Sequence, residues 1–275
     1  GLRGFFTGRL AFVVQPRSTG PGEIYVSDLF WGEAKQVTRD NALVMTPRWS
    51  PDGSRVLYTS VFKTGAPDIY MHDPASGRRD IVANFRGMNM GASFSGNGQR
   101  IAMVLSGSGA SEIFVRPTQG GSPTRLTRMD SAKSSPSWSP DGSQIVFAME
   151  PGPQLYLVSS SGGSPRRLSA AGAGTYMAEP DWCRTNPNKI ACTVRKDGRF
   201  QIAVIDVASG TAKVVSKAGF DAVEPSWLAD GRHLVYTARA PSTSVLSILD
   251  TETGSSRAIS GSDRNALQAS VWMAQ

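Results

Sequence analysis

The chain has 275 residues, 40% of them hydrophobic and 19% charged, with a formal net charge of +7. That balance describes a folded domain with enough apolar material for a core, and it excludes a disordered segment. The longest apolar runs, 8–14 and 101–105, fall far short of the roughly 20 residues that cross a bilayer as a helix.

The positive charge favours an acidic partner or an anionic surface, but the basic residues are scattered singles and pairs such as Arg78-Arg79 and Arg166-Arg167. This distribution describes a solvated face, and no nucleic-acid partner is expected. The opening stretch GLRGFFTGRLAFVVQ has a basic residue and an apolar run without a small-residue cleavage site, so it does not read as a signal peptide.

Taken in chain order, the predicted elements repeat. Short strands are expected at 9–14, 23–29 and 34–38, and then PRWSPDGSRVLYTS occupies 47–60. Its pattern returns as ASFSGNGQRIAMVL from 92, PSWSPDGSQIVFAM from 136, PDWCRTNPNKIACTV from 180 and PSWLADGRHLVYTA from 225, with a truncated ASVW at 269–272. The aromatic anchors Trp49, Phe94, Trp138, Trp182, Trp227 and Trp272 lie 45, 44, 44, 45 and 45 residues apart.

Each unit reads as four strands. The first ends at the aromatic anchor and a Ser-Pro-Asp-Gly turn follows, in which proline presets φ and glycine accepts a positive one. The second is an apolar run without alternation, such as Ile145 to Ala148, which implies burial on both faces. Sequences like DIYMHDP and QLYLVSS form the third, Ser-Gly or Gly-Gly turns close it, and RRDIV or PTRLT forms the fourth.

Four strands at a period of about 40 to 50 residues predict a β-propeller. The fold class is therefore all-β, a six-bladed propeller with four-stranded blades. Its N-terminal blade lacks the innermost strand, and 268–272 supply it, closing the ring.

Catalytic constellations are sparse, and the chain is not expected to be an enzyme. Its two histidines, His72 and His233, fall in different repeats without metal-ligand spacing. No G-x-S-x-G elbow, P-loop or G-x-G-x-x-G occurs, and Asp52, Asp141 and Asp230 recur because their turns require them. Cys183 and Cys192 flank a tight turn, and the spacing predicts a disulfide between them in an oxidising compartment. Two buried thiols in a reducing compartment are the alternative.

The segments that lead into each first strand gather at one mouth of the channel. Aligned on the anchors they form three rings: Val44, Asn89, Lys133, Met177, Ala222 and Leu267; Met45, Met90, Ser134, Ala178, Val223 and Gln268; Thr46, Gly91, Ser135, Glu179, Glu224 and Ala269. Met45, Met88, Met90, Met129 and Met177 fall in these segments, and methionine suits an adaptable binding rim as well as it suits gap filling between blades. Glu179 and Glu224 are candidates for a cation or a partner's basic group. Two carboxylates fall short of the roughly six to eight oxygen ligands of calcium, so calcium in the channel is a weak expectation and no other cofactor is expected.

The repeated P-x-W-S-P-D-G-x-x-I-x-F unit, its six copies and the C-terminal strand closure resemble the TolB β-propeller family, and GLRGFFTGRLAFVVQ resembles the junction where that propeller follows a smaller domain. The resemblance implies an interdomain linker remnant over 1–8 and a propeller over 9–275. It also implies a periplasmic protein of the Tol-Pal system that binds the lipoprotein Pal and other Tol envelope proteins, meets the membrane only through them, and supports outer-membrane integrity and cell division. A monomer is expected. The implied partner-binding residues are Met45, Thr46, Met88, Asn89, Met90, Ser134, Ser135, Met177, Glu179 and Glu224. Two alternatives carry other functions: an accessory propeller of a serine peptidase or carbohydrate-active enzyme whose catalytic domain lies elsewhere, and a purely architectural role. Gly96-Asn97-Gly98 and the one-residue-longer turn after Trp182 depart from the repeat, so differently shaped turns are expected there.

Overall fold

A computed structural model of the protein describes residues 7–16, 20–107, 109–168, 170–172, 174–217, 219–261 and 265–273. Most of the expected linker, 1–6, lies outside the described residues. The chain forms β1 (Arg9–Gln15), β2 (Glu23–Asp28) and β3 (Lys35–Gln36), then β4 (Val44–Trp49), β5 (Val56–Ser60), β6 (Asp68–His72) and β7 (Arg79–Ala83). The pattern continues with β8 (Asn89–Phe94), β9 (Arg100–Leu105), β10 (Glu112–Pro117) and β11 (Thr124–Arg125). Next come β12 (Lys133–Trp138), β13 (Gln144–Met149), β14 (Gln154–Ser159) and β15 (Arg166–Arg167), followed by β16 (Met177–Trp182), β17 (Lys189–Lys196), β18 (Arg199–Asp206) and β19 (Thr211–Val214). The last are β20 (Asp221–Trp227), β21 (His233–Arg239), β22 (Ser244–Asp250), β23 (Ser256–Ala258) and β24 (Asn265–Trp272).

These strands make six antiparallel four-stranded sheets. Five use consecutive strands, whereas blade 1 has the order β24-β1-β2-β3. The two ends of the chain therefore share one sheet, as the repeat count predicts, and blades 2 to 6 follow from β4 onward. Each innermost strand contacts the next around the whole ring, β24 meeting β4.

The core lies between blades. Six apolar clusters occur, one at each blade interface, including Trp49 and Tyr58 with Ala11 and Val13 between blades 1 and 2, and Leu228 and Val235 with Leu10 and Phe12 between blades 6 and 1. Second strands serve two clusters at once, which is why they lack polar alternation: in β17, Ile190, Cys192 and Val194 face blade 4 while Ala191 faces blade 6. A fully buried side chain of this kind contributes about 1.5 to 3 kcal/mol.

Every innermost strand carries a β-bulge in which two residues oppose one. The first bulge residue is left-handed in all six: Thr46, Gly91, Ser135, Glu179, Glu224 and Gln268, with φ between 51° and 60°. Fixing this register corrects the sixth repeat by one residue. Gln268, not Ala269, matches Glu224, and Val271, not Trp272, occupies the anchor position, pairing with Leu10 as Trp227 pairs with Leu234. Trp272 is displaced one step onward, where its indole N–H donates to the Pro51 carbonyl of blade 2 at 2.9 Å. Sequence similarity follows the indole, whereas register follows the bulge.

The turns after the anchors are alike even where the sequence departs. Gly98 has φ 71° and donates to the Ser95 carbonyl at 2.8 Å, as Gly53, with φ 69°, does to Ser50 at 2.9 Å. The asparagine-glycine version therefore keeps the common shape, contrary to expectation, because Asn97 accepts hydrogen bonds from Ser95 and Gln99 as Asp52 does from Ser50 and Ser54. The longer turn does differ: Cys183 N donates to the Lys189 carbonyl, spanning one residue more than Ser50 N to Arg55.

The expected disulfide is absent, and Cys183 and Cys192 are free buried thiols. Cys183 opposes Lys189 across the turn, three residues along the strand from Cys192, and the two thiols lie on opposite faces of blade 5. Burial first, then the Glu179 carboxylate, pushes the Cys192 thiol up to about 12.

Candidate functional site

In each blade the chain runs down the inner strand, up the second, down the third and up the fourth. The loops after second strands and the segments entering first strands therefore share one end of the channel, here the top, and the Asp-Gly turns lie at the bottom.

At the top mouth the left-handed residues link neighbouring blades. The Glu179 carboxylate accepts from Glu224 N at 3.0 Å and from the Thr193 hydroxyl at 2.6 Å. Glu224 accepts from Gln268 N at 3.1 Å and the Thr237 hydroxyl at 2.7 Å, and Gln268 Oε1 accepts from Thr46 N at 2.8 Å. Thr46 continues to Thr59, whose hydroxyl accepts from Gly91 N. A bulge conformation frees the backbone N–H from its own sheet, and at Thr46, Gly91, Glu224 and Gln268 a side chain of the preceding blade satisfies it. Burial, reinforced by the neighbouring Glu224 charge, raises the Glu179 carboxyl above the usual carboxylate range. Arg239 stands 3.7 Å from Glu224.

The structure divides the expected binding residues. Thr46, Glu179 and Glu224 are brought together in this relay, and Met45, Met90, Ser134 and Ser135 are half-buried beside it. Met88 is exposed on the rim. Two others are withdrawn from the surface. Met177 belongs to the core between blades 4 and 5. Asn89 is fully buried, its amide donating to the Phe85 carbonyl at 2.8 Å while its oxygen accepts from Phe85 N at 3.0 Å, so it pins the 85–88 loop.

That loop is part of what the sequence reading missed. Of the seven large apolar side chains standing exposed among the described residues, five lie on the top: Leu43, Phe62, Phe85, Met88 and Phe220. Four of these belong to blade 2 and its junction with blade 3. Val61 N donates to the Leu43 carbonyl, placing Leu43 beside Phe62, and Phe62 packs on Tyr70 and under the Arg79 guanidinium. Their positions in the top loops were legible, but exposure was not, since Met177 in an equivalent segment is buried.

The family profile described as the TolB beta propeller domain matches residues 1–274. The chain belongs to the TolB β-propeller family. The Tol-Pal system protein TolB of Bordetella pertussis is 34% identical over 166 residues, 59% of this chain and 37% of that protein, and its Bordetella parapertussis counterpart matches equally. The match thus spans well under two thirds of the relatives' length. Among solved structures, TolB from Acinetobacter baumannii superposes with a TM-score of 0.84 at 25% identity, covering 98% of this chain and 67% of that one. A putative TolB from Agrobacterium tumefaciens gives 0.74 at 18% identity over 98% and 99% of the two chains, a likeness of fold.

In this TolB-type propeller the bottom of the channel is built differently from the top. One ring, just before the anchors, comprises Arg48, Ser93, Ser137, Asp181, Ser226 and Ser270. Its polar side chains also tie blades together: the N–H groups of Trp182, Trp227, Val271 and Trp49 donate to Ser137, Asp181, Ser226 and Ser270 at 2.8 to 3.3 Å. The two histidines lie apart, His72 buried in blade 2 and His233 beside Asp230 at the turn of blade 6.

Proposed function

We propose that this chain is the partner-docking propeller of a Tol-Pal system. It binds Pal on its top face in the periplasm, and so serves outer-membrane integrity and cell division. The observation that carries the reading is the gathering of exposed Leu43, Phe62, Phe85 and Met88 on the face to which all six inter-blade segments lead. Aromatic and methionine side chains left in water beside a rigid hydrogen-bonded rim are the anchors that macromolecular docking uses. Membership in the TolB propeller family supports the choice of partner. Glu179 and Glu224 beside this surface suit a basic group of the partner, and Met45, Met90, Ser134 and Ser135 supply the inner contacts. The chain acts by binding rather than catalysis.

Calorimetric titration with a cognate Pal domain tests this. Wild type binds, and Phe85→Glu, Met88→Glu and Ser134→Arg each weaken binding by about tenfold or more, a loss of about 1.4 kcal/mol. A wild-type chain that does not bind, or variants that bind equally well, overturns the assignment.

A further inference from the structure

The bottom of the channel holds a second candidate site. Arg48 in blade 2 faces Asp181 and Arg184 in blade 5, three blades away and hence across the axis. Two cavities share Arg48, Pro51, Asp181, Trp182 and Arg184 and divide the remaining walls: one reaches Ser226 and Ser270 in blades 6 and 1, the other Ser93 and Ser137 in blades 3 and 4. The charged trio therefore lines both parts of the lower channel, the smaller of about 60 Å³ and the larger of about 320 Å³.

We propose that the larger part is a binding site for a small oxyanion, a carboxylate or phosphate held between the guanidinium groups of Arg48 and Arg184. Four observations support it. Arg184 occupies the turn position filled by Pro51, Gly96, Pro140 and Ala229 in the neighbouring blades, so a charge stands where the repeat otherwise places small or apolar residues. Among the described residues Arg184 makes no hydrogen bond and no ion pair, and Arg48 donates only to the Pro47 carbonyl at 2.9 Å. The single carboxylate nearby, Asp181, is engaged by Trp227 N at 2.8 Å, leaving two cations against one anion. The Ser137 hydroxyl accepts from Trp182 N at 3.0 Å, so its own proton is free to be donated.

Guanidinium groups and hydroxyl protons are donors, and they select an oxyanion over a cation. Enclosure strengthens that selection, since charges inside a narrow channel are weakly screened. Desolvation in the channel pushes the Asp181 carboxyl up from its ordinary value, the response of a charged group that lacks full compensation. The chamber reaches the lower end of the size range of small-molecule pockets, about 300 Å³, which fits a free di- or tricarboxylate or a phosphate better than a folded partner.

The test is calorimetric titration at constant ionic strength with inorganic phosphate and, separately, malonate, using chloride as the balancing ion. Saturable one-to-one binding of at least one anion is expected, weakened about tenfold or more in Arg184→Gln and Arg48→Gln and partly retained in Arg184→Lys. Arg166→Gln, an exposed outer-strand change, leaves it unaltered. Phosphate binding alone marks a phosphate site, and malonate binding alone a carboxylate site. Absence of saturable binding by either, or equal affinity in Arg184→Gln, overturns the proposal. Because Arg184 lies on a turn at the bottom of the channel, the opposite end from the docking face, loss of anion binding with Pal binding intact separates the two sites.

Discussion

At the scale of residues, Glu179 shows how one side chain serves structure at an electrostatic cost. Its carboxylate satisfies Glu224 N and the Thr193 hydroxyl, yet it lies near a second carboxylate in a partly dry site. A carboxyl raised in the folded state binds more protons than in the unfolded chain, so its contribution is intact below the ordinary value of 4.5 and is lost as pH rises through the folded value. Glutamine keeps the acceptor and removes the charge. Glu179→Gln is expected to raise the melting temperature by about 2 to 4 °C at pH 7.5, roughly 1 kcal/mol for a chain of this class, with the gain shrinking toward pH 4.5. A thermal melt series over that range checks it, and an equal gain at both ends contradicts the charge argument. The carboxylates were legible in the sequence as equivalent positions in neighbouring repeats. Their coupling was not, because it depends on the distance between two blades.

At the scale of elements, the Asp-Gly turn is the most legible feature of the chain. Its physics is local: proline sets one dihedral angle, aspartate accepts from the N–H two residues on, and glycine takes the left-handed position. Gly53 adds a tertiary demand, since a Cβ there would stand 2.3 Å from the Trp272 ring, whereas Gly77, also left-handed, has nothing within 4 Å. Gly77→Ala is expected to cost about 1 kcal/mol from backbone strain alone, and Gly53→Ala about 2 to 4 kcal/mol once the displaced indole is included. Urea denaturation of the pair reads the difference; equal losses would mean that the indole moves aside freely. The cysteines are the opposite case. Proximity across a turn suggested a bond, but one extra residue in the turn and the alternation of faces along a strand set Cys183 and Cys192 on different sides of the blade.

At the scale of the whole molecule, closure is the decisive device. β24 brings Val271, Ala266 and Ala269 into the cluster between blades 6 and 1, and Trp272 seals blade 1 against blade 2 through Pro51. Deleting 268–275 removes the inner strand of one blade and exposes β1 as an open edge. The expected result is a fall in melting temperature of about 10 °C or more, corresponding to several buried side chains, or aggregation seen by light scattering. A truncated chain that melts unchanged as a monomer would show that the ring does not depend on this strand. Closure also gives the molecule two unlike ends, an apolar and acidic top and a bottom carrying arginines and hydroxyl groups.

The sequence by itself determined the blade number, the four-strand unit, the turn chemistry and the strand exchange between the termini. All of these follow from local dihedral preferences and from a period set by one hydrophobic unit repeated along the chain. Tertiary structure alone decided which apolar residues stay in water, as Phe85 does and Met177 does not, and it fixed the register of the sixth inner strand. It also brought Arg48 to face Arg184 from repeats more than 130 residues apart. Each of those outcomes depends on how curved sheets meet around an axis, and no stretch of chain shorter than the ring contains that information.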